Sequence, residues 1–124
     1  RTFPMATNMY VIPAKPGKHI ARKVGHFKTG KASDSEHPYF DYWVCSADIS
    51  PDGSKLSLLS GNKLWIFYDF PKNRFLEGKY SVIPLGPNTQ KEAVVFRTND
   101  EIWITDEYWK DRKKGGNLYC IKIN

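Results

Sequence analysis

Cysteine is scarce in this sequence. Cys45 and Cys120 are the only two among 124 residues, which excludes a disulfide framework. No apolar run approaches the roughly 20 residues that a membrane-spanning helix needs. No segment shows a capped apolar stripe of 3.6-residue period, so helices are not expected to build the fold. Catalytic signatures are missing too. There is no Gly-x-Ser-x-Gly elbow, no phosphate-cradling glycine loop and no His-x-x-x-His spacing. Ser46 has no base beside it in sequence, and a lone serine is no nucleophile. Acid is absent from residues 1–33, which hold Arg1, Lys15, Lys18, Arg22, Lys23, Lys28 and Lys31 and carry +7, while the remainder carries −1. Such a block reads first as a solvated outer strand whose lysines discourage edge pairing. No helix-turn-helix, RNA-recognition or zinc-finger pattern accompanies it, so nucleic-acid contact is a minor reading.

What is abundant is aromatic and β-branched material. Aromatics make up 15% of the chain, with 4 Trp, 7 Tyr and 7 Phe. That suffices for a packed core in one domain. Three segments look alike: Asn8-Met9-Tyr10-Val11-Ile12, Lys63-Leu64-Trp65-Ile66-Phe67 and Asn117-Leu118-Tyr119-Cys120-Ile121. Met9 to Leu64 is 55 positions and Leu64 to Leu118 is 54. A second pair supports the repeat, because 47–58 can be laid on 93–104. In each copy an extended stretch meets a polar turn, Pro51-Asp52-Gly53 or Asn99-Asp100, and a second extended stretch follows.

The expected strands are 8–13, 19–27, 43–50, 55–60, 63–69, 79–85, 91–97, 101–106 and 117–123, with loops at 28–42 and 107–116. Strands in groups of four with a repeat of roughly 40–55 residues match the blades of a β-propeller. The expected fold is therefore all-β, with antiparallel four-stranded blades. Residues 1–27 would be the outer strands of one blade, 43–85 a complete blade and 91–124 a partial last blade. That is about two and a quarter blades, where a ring needs about four to eight. The single domain 1–124 is therefore expected to be the C-terminal part of a larger propeller, or to close by self-association. The start at Arg1 rather than Met agrees with a trimmed chain, and Ile123-Asn124 reads as the end of a last strand. A small β-sandwich of the same nine strands is the alternative.

In such a ring the innermost strands, 43–50 and 91–97, line the channel. Asp48 lies on one, Glu92 begins the other, and Asp106 and Glu107 end a neighbouring strand. Carboxylates suit Ca²⁺ or Mg²⁺ when several converge, which makes Glu92, Asp48 and Asp106 candidate ligands. Each also has a purely structural use, in holding backbone amides or capping a turn. Lys91 and Arg97 flank Glu92 as candidate ligand contacts. His37 precedes Pro38 in a long loop leading to an inner strand, and imidazole titrates near neutrality. Tyr39, Phe40, Tyr42 and Trp43 cluster before that strand. Tyr108 and Trp109 sit in a charged loop and are the better surface aromatics, able to stack on a sugar or anchor a protein. Trp43, Trp65 and Trp103 are expected to pack between blades, and both cysteines to be small buried hydrophobes.

Residues 43–122 also carry a recognisable series. It comprises Ala47-Asp48-Ile49-Ser50-Pro51-Asp52-Gly53, Lys63-Leu64-Trp65-Ile66-Phe67 with Asp69-Phe70, Gln90-Lys91-Glu92-Ala93, Ile102-Trp103-Ile104-Thr105-Asp106-Glu107 and Gly115-Gly116-Asn117-Leu118-Tyr119. The series resembles a group of secreted or cell-surface bacterial β-propeller proteins common in Bacteroidetes, and the broader phytase-like and esterase-like propellers. It covers about two thirds of the chain. The resemblance implies an extracytoplasmic location and makes Glu92 the best single site candidate, because it matches a recurrent Glu. Two functions follow. A rigid ring bearing two long loops rich in charge and aromatics suits a non-catalytic module that binds a protein or glycan and assembles with the remaining blades. The phytase-like resemblance implies instead a Ca²⁺-assisted phosphoester or ester hydrolase, with the metal positioning phosphate and activating water.

Overall fold

The computed structural model of the chain describes residues 5–86 and 88–123. Arg1 and Asn124, the expected start and end, lie outside them. Nine strands form three antiparallel sheets among the described residues. The first sheet is the hairpin β1 (Met5–Val11) and β2 (Arg22–Gly30), with Asn8 opposite His26. The second is a four-stranded meander of β3 (Ser46–Ile49), β4 (Leu56–Leu59), β5 (Lys63–Tyr68) and β6 (Lys79–Pro84). The third holds β7 (Lys91–Thr98), β8 (Glu101–Asp106) and β9 (Leu118–Lys122). The expected all-β, antiparallel class is what the chain adopts, in groups of two, four and three strands. No helix among the described residues is long and apolar enough to cross a membrane.

The repeat has a structural meaning. Its three copies fall on β1, β5 and β9, and the second pair falls on the β3–β4 and β7–β8 hairpins. Alternation along β5 divides the core. Leu64 and Ile66 point to the third sheet, where Leu59, Val94, Phe96, Ile102, Ile104 and Ile123 join them. Trp65 and Phe67 point the other way, with Leu56 and Leu58, and meet Met9 and Phe27 of the first sheet. The second sheet is therefore buried on both faces, and β4 is buried at every residue. This is why Leu64-Trp65-Ile66-Phe67 reads as a continuous apolar run rather than as an alternating one.

The second and third sheets are also joined by polar contacts. Among the described residues β7 pairs only with β8, so the amides on its other edge need acceptors. Side chains of β3 provide them. The Val94 N–H donates to Ser46 Oγ at 3.1 Å, and the Phe96 N–H donates to Asp48 Oδ2 at 2.7 Å. The turns beyond are tied as well. The Asp52 N–H donates to Asn99 Oδ1 at 3.0 Å, and Lys55 Nζ donates to the Asn99 carbonyl at 2.8 Å and to Asp100 Oδ1 at 3.1 Å. Within its own turn, Asp52 accepts from the Ser54 hydroxyl and N–H and from the Ser50 hydroxyl, and these hold its carboxyl at about 2.

Two expectations are corrected. The stretch 28–42 is not a plain loop. β2 runs on to Gly30, a 3₁₀ turn covers Ala32–Asp34, and a short helix α1 spans Pro38–Tyr42. Pro38 opens this helix, where its missing N–H costs nothing, and five residues are too few to show a periodic stripe. Both cysteines are exposed rather than buried. Cys120 lies on the outer face of the third sheet opposite Trp103, so apolar neighbours in sequence did not place it in the core.

Asp48→Ala would leave the Phe96 amide without its acceptor. The expected cost is about 1–3 kcal/mol, read as a lower urea midpoint with an unchanged slope. Asp48→Asn keeps a carbonyl acceptor and should lose visibly less. Equal losses for the two variants would mean that the hydrogen bond is not what stabilises this junction.

Candidate functional site

α1 carries aromatics out to one end of the second sheet, and it is held there by the β4–β5 turn. The Ser60 hydroxyl donates to the Asp41 carbonyl at 2.9 Å, the Gly61 N–H to the Phe40 carbonyl at 2.8 Å, and Asn62 Nδ2 to Asp41 Oδ1 at 2.6 Å. From the other side the Thr29 hydroxyl donates to the Tyr42 carbonyl at 2.7 Å. Position 61 must be glycine for this docking, because a Cβ there would stand 2.5 Å from the Phe40 ring and 2.9 Å from its carbonyl oxygen. The helix therefore presents its rings as a fixed surface.

Those rings border an open cleft of about 350 Å³ between α1, the start of β3 and the Trp109 loop. Tyr39 and Trp43 meet edge to face at 4.4 Å between centroids. Both are exposed, at 53% and 55%, which corrects the expectation that Trp43 packs between sheets. Phe40 and Trp109 lie nearly parallel, with 7° between their planes and 6.4 Å between centroids. The Arg112 guanidinium covers Trp109 at 4.3 Å from its centroid. Trp109 is held by main-chain pairing with Lys114 across a tight turn. Gly115 belongs to this loop, since a Cβ there would fall 1.9 Å from the Glu107 carbonyl oxygen.

The floor of the cleft is formed by Val44, Cys45, Gln90 and Lys91. Lys91 is 5% exposed. Its Nζ donates to the Gly61 carbonyl at 3.3 Å and to the Thr89 hydroxyl, and it lies 5.5 Å from the centre of the Tyr119 ring. Burial pushes the Lys91 ammonium below its ordinary range, while the Asp106 carboxylate and Cys45 pull it back. For Asp106 burial acts upward, but donors prevail. The Asn117 N–H at 2.7 Å, the Tyr119 hydroxyl at 2.8 Å, the Thr89 hydroxyl and the Lys91 charge hold its carboxyl below the usual value. Asp106 in turn raises the Tyr119 phenol. Cys45 is exposed as a residue, but partial burial of its sulfur raises the thiol, which donates to the Leu59 carbonyl at 3.4 Å. A raised thiol is a poor nucleophile at neutral pH.

The other sequence candidates are dispersed. Glu92 is exposed, and its Oε1 accepts from Gln90 Nε2 at 3.1 Å. A register shift between Lys91 and Ala93 explains why Lys91 rather than Glu92 is buried. Regular alternation from Val94 and Phe96 would have turned Glu92 inward, and the bulge reverses that order. The Asp48 carboxylate is engaged at the junction with β7, and Asp106 lies beneath Tyr119. No group of three or more His, Cys, Asp or Glu side chains lies together among the described residues. Arg97 is on the outer face of the third sheet, bonded to Glu101 at 2.9 Å and 5.5 Å from the Trp103 ring. With the Cys120 thiol and the Trp103 indole, it holds the Glu101 carboxyl at about 2. His37 is exposed at the start of α1, and its carbonyl accepts the Asp41 N–H. Tyr108 is exposed and covers Gly116. Thr89, Tyr119 and Gly61 escaped the sequence reading, because their role is to surround a lysine that the bulge buries.

Comparison with known proteins adds no relative: no family model matches the chain, and no curated protein or solved structure does.

Asp106 supplies the test of this floor. Its folded pKa lies below its unfolded value of about 3.9, so the unfolded chain takes the proton first as pH falls. The stability it contributes is complete above about pH 5 and is lost as pH drops through the folded pKa. Asp106→Asn should cost about 1–3 kcal/mol at neutral pH and flatten the fall in urea midpoint below about pH 4. An unchanged acid limb would show that Asp106 is not held below its ordinary pKa.

Proposed function

We propose that this chain is part of an extracytoplasmic β-propeller and serves as a non-catalytic binding module whose ligand is a glycan. The observation that carries the binding reading is the aromatic cleft. Two exposed rings, Tyr39 and Trp43, stand beside the parallel Phe40–Trp109 pair on a helix fixed by hydrogen bonds. Flat, immobilised rings suit the C–H faces of a pyranose, and they gain contact area at little cost in side-chain entropy. Lys91 beneath them is engaged by Thr89 and Gly61, which favours it as a floor rather than as a reacting amine.

The ring reading draws on the sheet sequence of two, four and three strands and on the three-fold placement of the repeat. It also draws on the second sheet, which is covered on both faces by its neighbours in the chain. In that arrangement the outward faces of the first and third sheets are met by the remaining blades.

The test is a glycan array followed by calorimetric titration of the best binder. Trp43→Ala should weaken binding by at least about tenfold, as truncation of an aromatic anchor does, with the urea midpoint unchanged because Trp43 is exposed. Failure to bind any sugar, or full affinity in Trp43→Ala, would overturn the glycan reading. Turnover of a chromogenic phosphoester that needs added Ca²⁺ and is lost in Glu92→Ala would replace it with the hydrolase.

A further inference from the structure

A free sheet edge invites pairing with another chain, and proteins guard such edges with charges or proline. Among the described residues six strands lie at sheet edges; β3 and β7 face each other and are joined by side-chain hydrogen bonds, and β2, β6 and β9 carry Lys23, Lys79 and Lys122. The sixth is β1. Its sequence, Met-Ala-Thr-Asn-Met-Tyr-Val, has neither a charge nor a proline, and among the described residues its only ladder partner is β2. Beside β1 lies an open groove of about 680 Å³ that separates it from β3. Val11 and Ile49 border the groove, each 43% exposed, above the buried Leu56. Phe27 of β2 packs on Trp65, Phe67 and Tyr80. The first sheet therefore covers the β5–β6 side of its neighbour and leaves the β3 side open.

The rim of this groove carries one base, Arg22, which is paired across the ladder with Val11. Asp48 lines the groove as well, but its carboxylate is turned to the Phe96 amide of β7. Arg22 forms no ion pair with a described residue, and residues 1–33 contain no acid. The same chain shows how such a groove is filled: on the opposite face of the second sheet, β7 lies over β3 with its amides bonded to β3 side chains.

We propose that the free edge of β1 receives an added β-strand, an extended acidic segment. Its alternate apolar side chains fill the groove over Ile49 and Leu56, and a carboxylate meets Arg22. Main-chain hydrogen bonds to β1 give affinity, and the groove and Arg22 give register and sign. This inference deepens the ring-completion part of the proposed function. It is independent of the glycan part, because the groove and the aromatic cleft share no residue.

The probe is the peptide Asp-Val-Thr-Val-Thr-Val-Glu, titrated calorimetrically into the intact chain, with its Lys-Val-Thr-Val-Thr-Val-Lys counterpart as control. The acidic peptide should bind, more weakly as salt rises, and the basic one should bind at least about tenfold more weakly. Val11→Glu places a charge of the peptide's own sign in the groove and should weaken the acidic peptide by about tenfold or more, with the circular dichroism unchanged. Tyr10→Glu, at a position 55% exposed, serves the same purpose should the first variant fold poorly. Equal binding of the two peptides, no binding of either, or full affinity in the glutamate variants would overturn the proposal. So would a dimer that dissociates in Val11→Glu while the peptide is ignored, since the occupant would then be a second copy.

Discussion

The unpaired amides of β7 are the constraint around which the rest of the molecule is organised. An edge strand with one ladder partner leaves N–H groups facing away from its sheet, and burying them unpaired costs free energy. Ser46 and Asp48 meet that need from the neighbouring sheet, at 3.1 and 2.7 Å. Because the acceptors alternate along β3, they define the offset between the two sheets. The interdigitating Leu59, Leu64, Ile66, Val94, Ile102 and Ile104 then pack in the register that this offset allows. The ties from Lys55 and Asp52 to the Asn99–Asp100 turn extend the same alignment to the end of the strands.

That alignment also builds the cleft. With β7 fixed against β3, the start of β7 brings Gln90 and Lys91 beneath α1, and the loop after β8 brings Trp109 against Phe40. The Glu107 N–H donates to the Gln90 carbonyl at 2.8 Å, which keeps the loop and the strand start together. The polar network under the rings is satisfied within the protein, since no buried side-chain nitrogen or oxygen among the described residues lacks a partner. A floor of that kind is rigid and electrically quiet. It leaves the aromatic faces, rather than the Lys91 ammonium, as the feature a ligand would meet.

The molecule thus offers two unlike surfaces. The cleft shows fixed rings on a short helix, and its rim carries Arg112. The groove beside β1 shows a bare strand edge above aliphatic side chains. The first suits a ligand with flat apolar faces, and the second suits a polypeptide in extended form.

By itself the sequence determined the class of the fold. Period-two and continuous apolar runs, broken by Pro51-Asp52-Gly53 and Asn99-Asp100, place the nine strands to within a few residues, because those signals are local. The repeated segment marked β1, β5 and β9 for the same reason. Part of the site was also legible: the cluster from Tyr39 to Trp43, and Trp109 in its charged loop. Tertiary structure alone decided the rest. The bulge at Lys91 and Ala93 exchanges the burial of Lys91 and Glu92, and no count of alternating residues anticipates an extra residue in one strand. Trp43 and Cys120 have apolar neighbours in the chain yet face outward. A side chain's burial depends on which sheet covers its face, and that is set by contacts some 48 residues away, such as Ser46 with Val94 and Asp48 with Phe96.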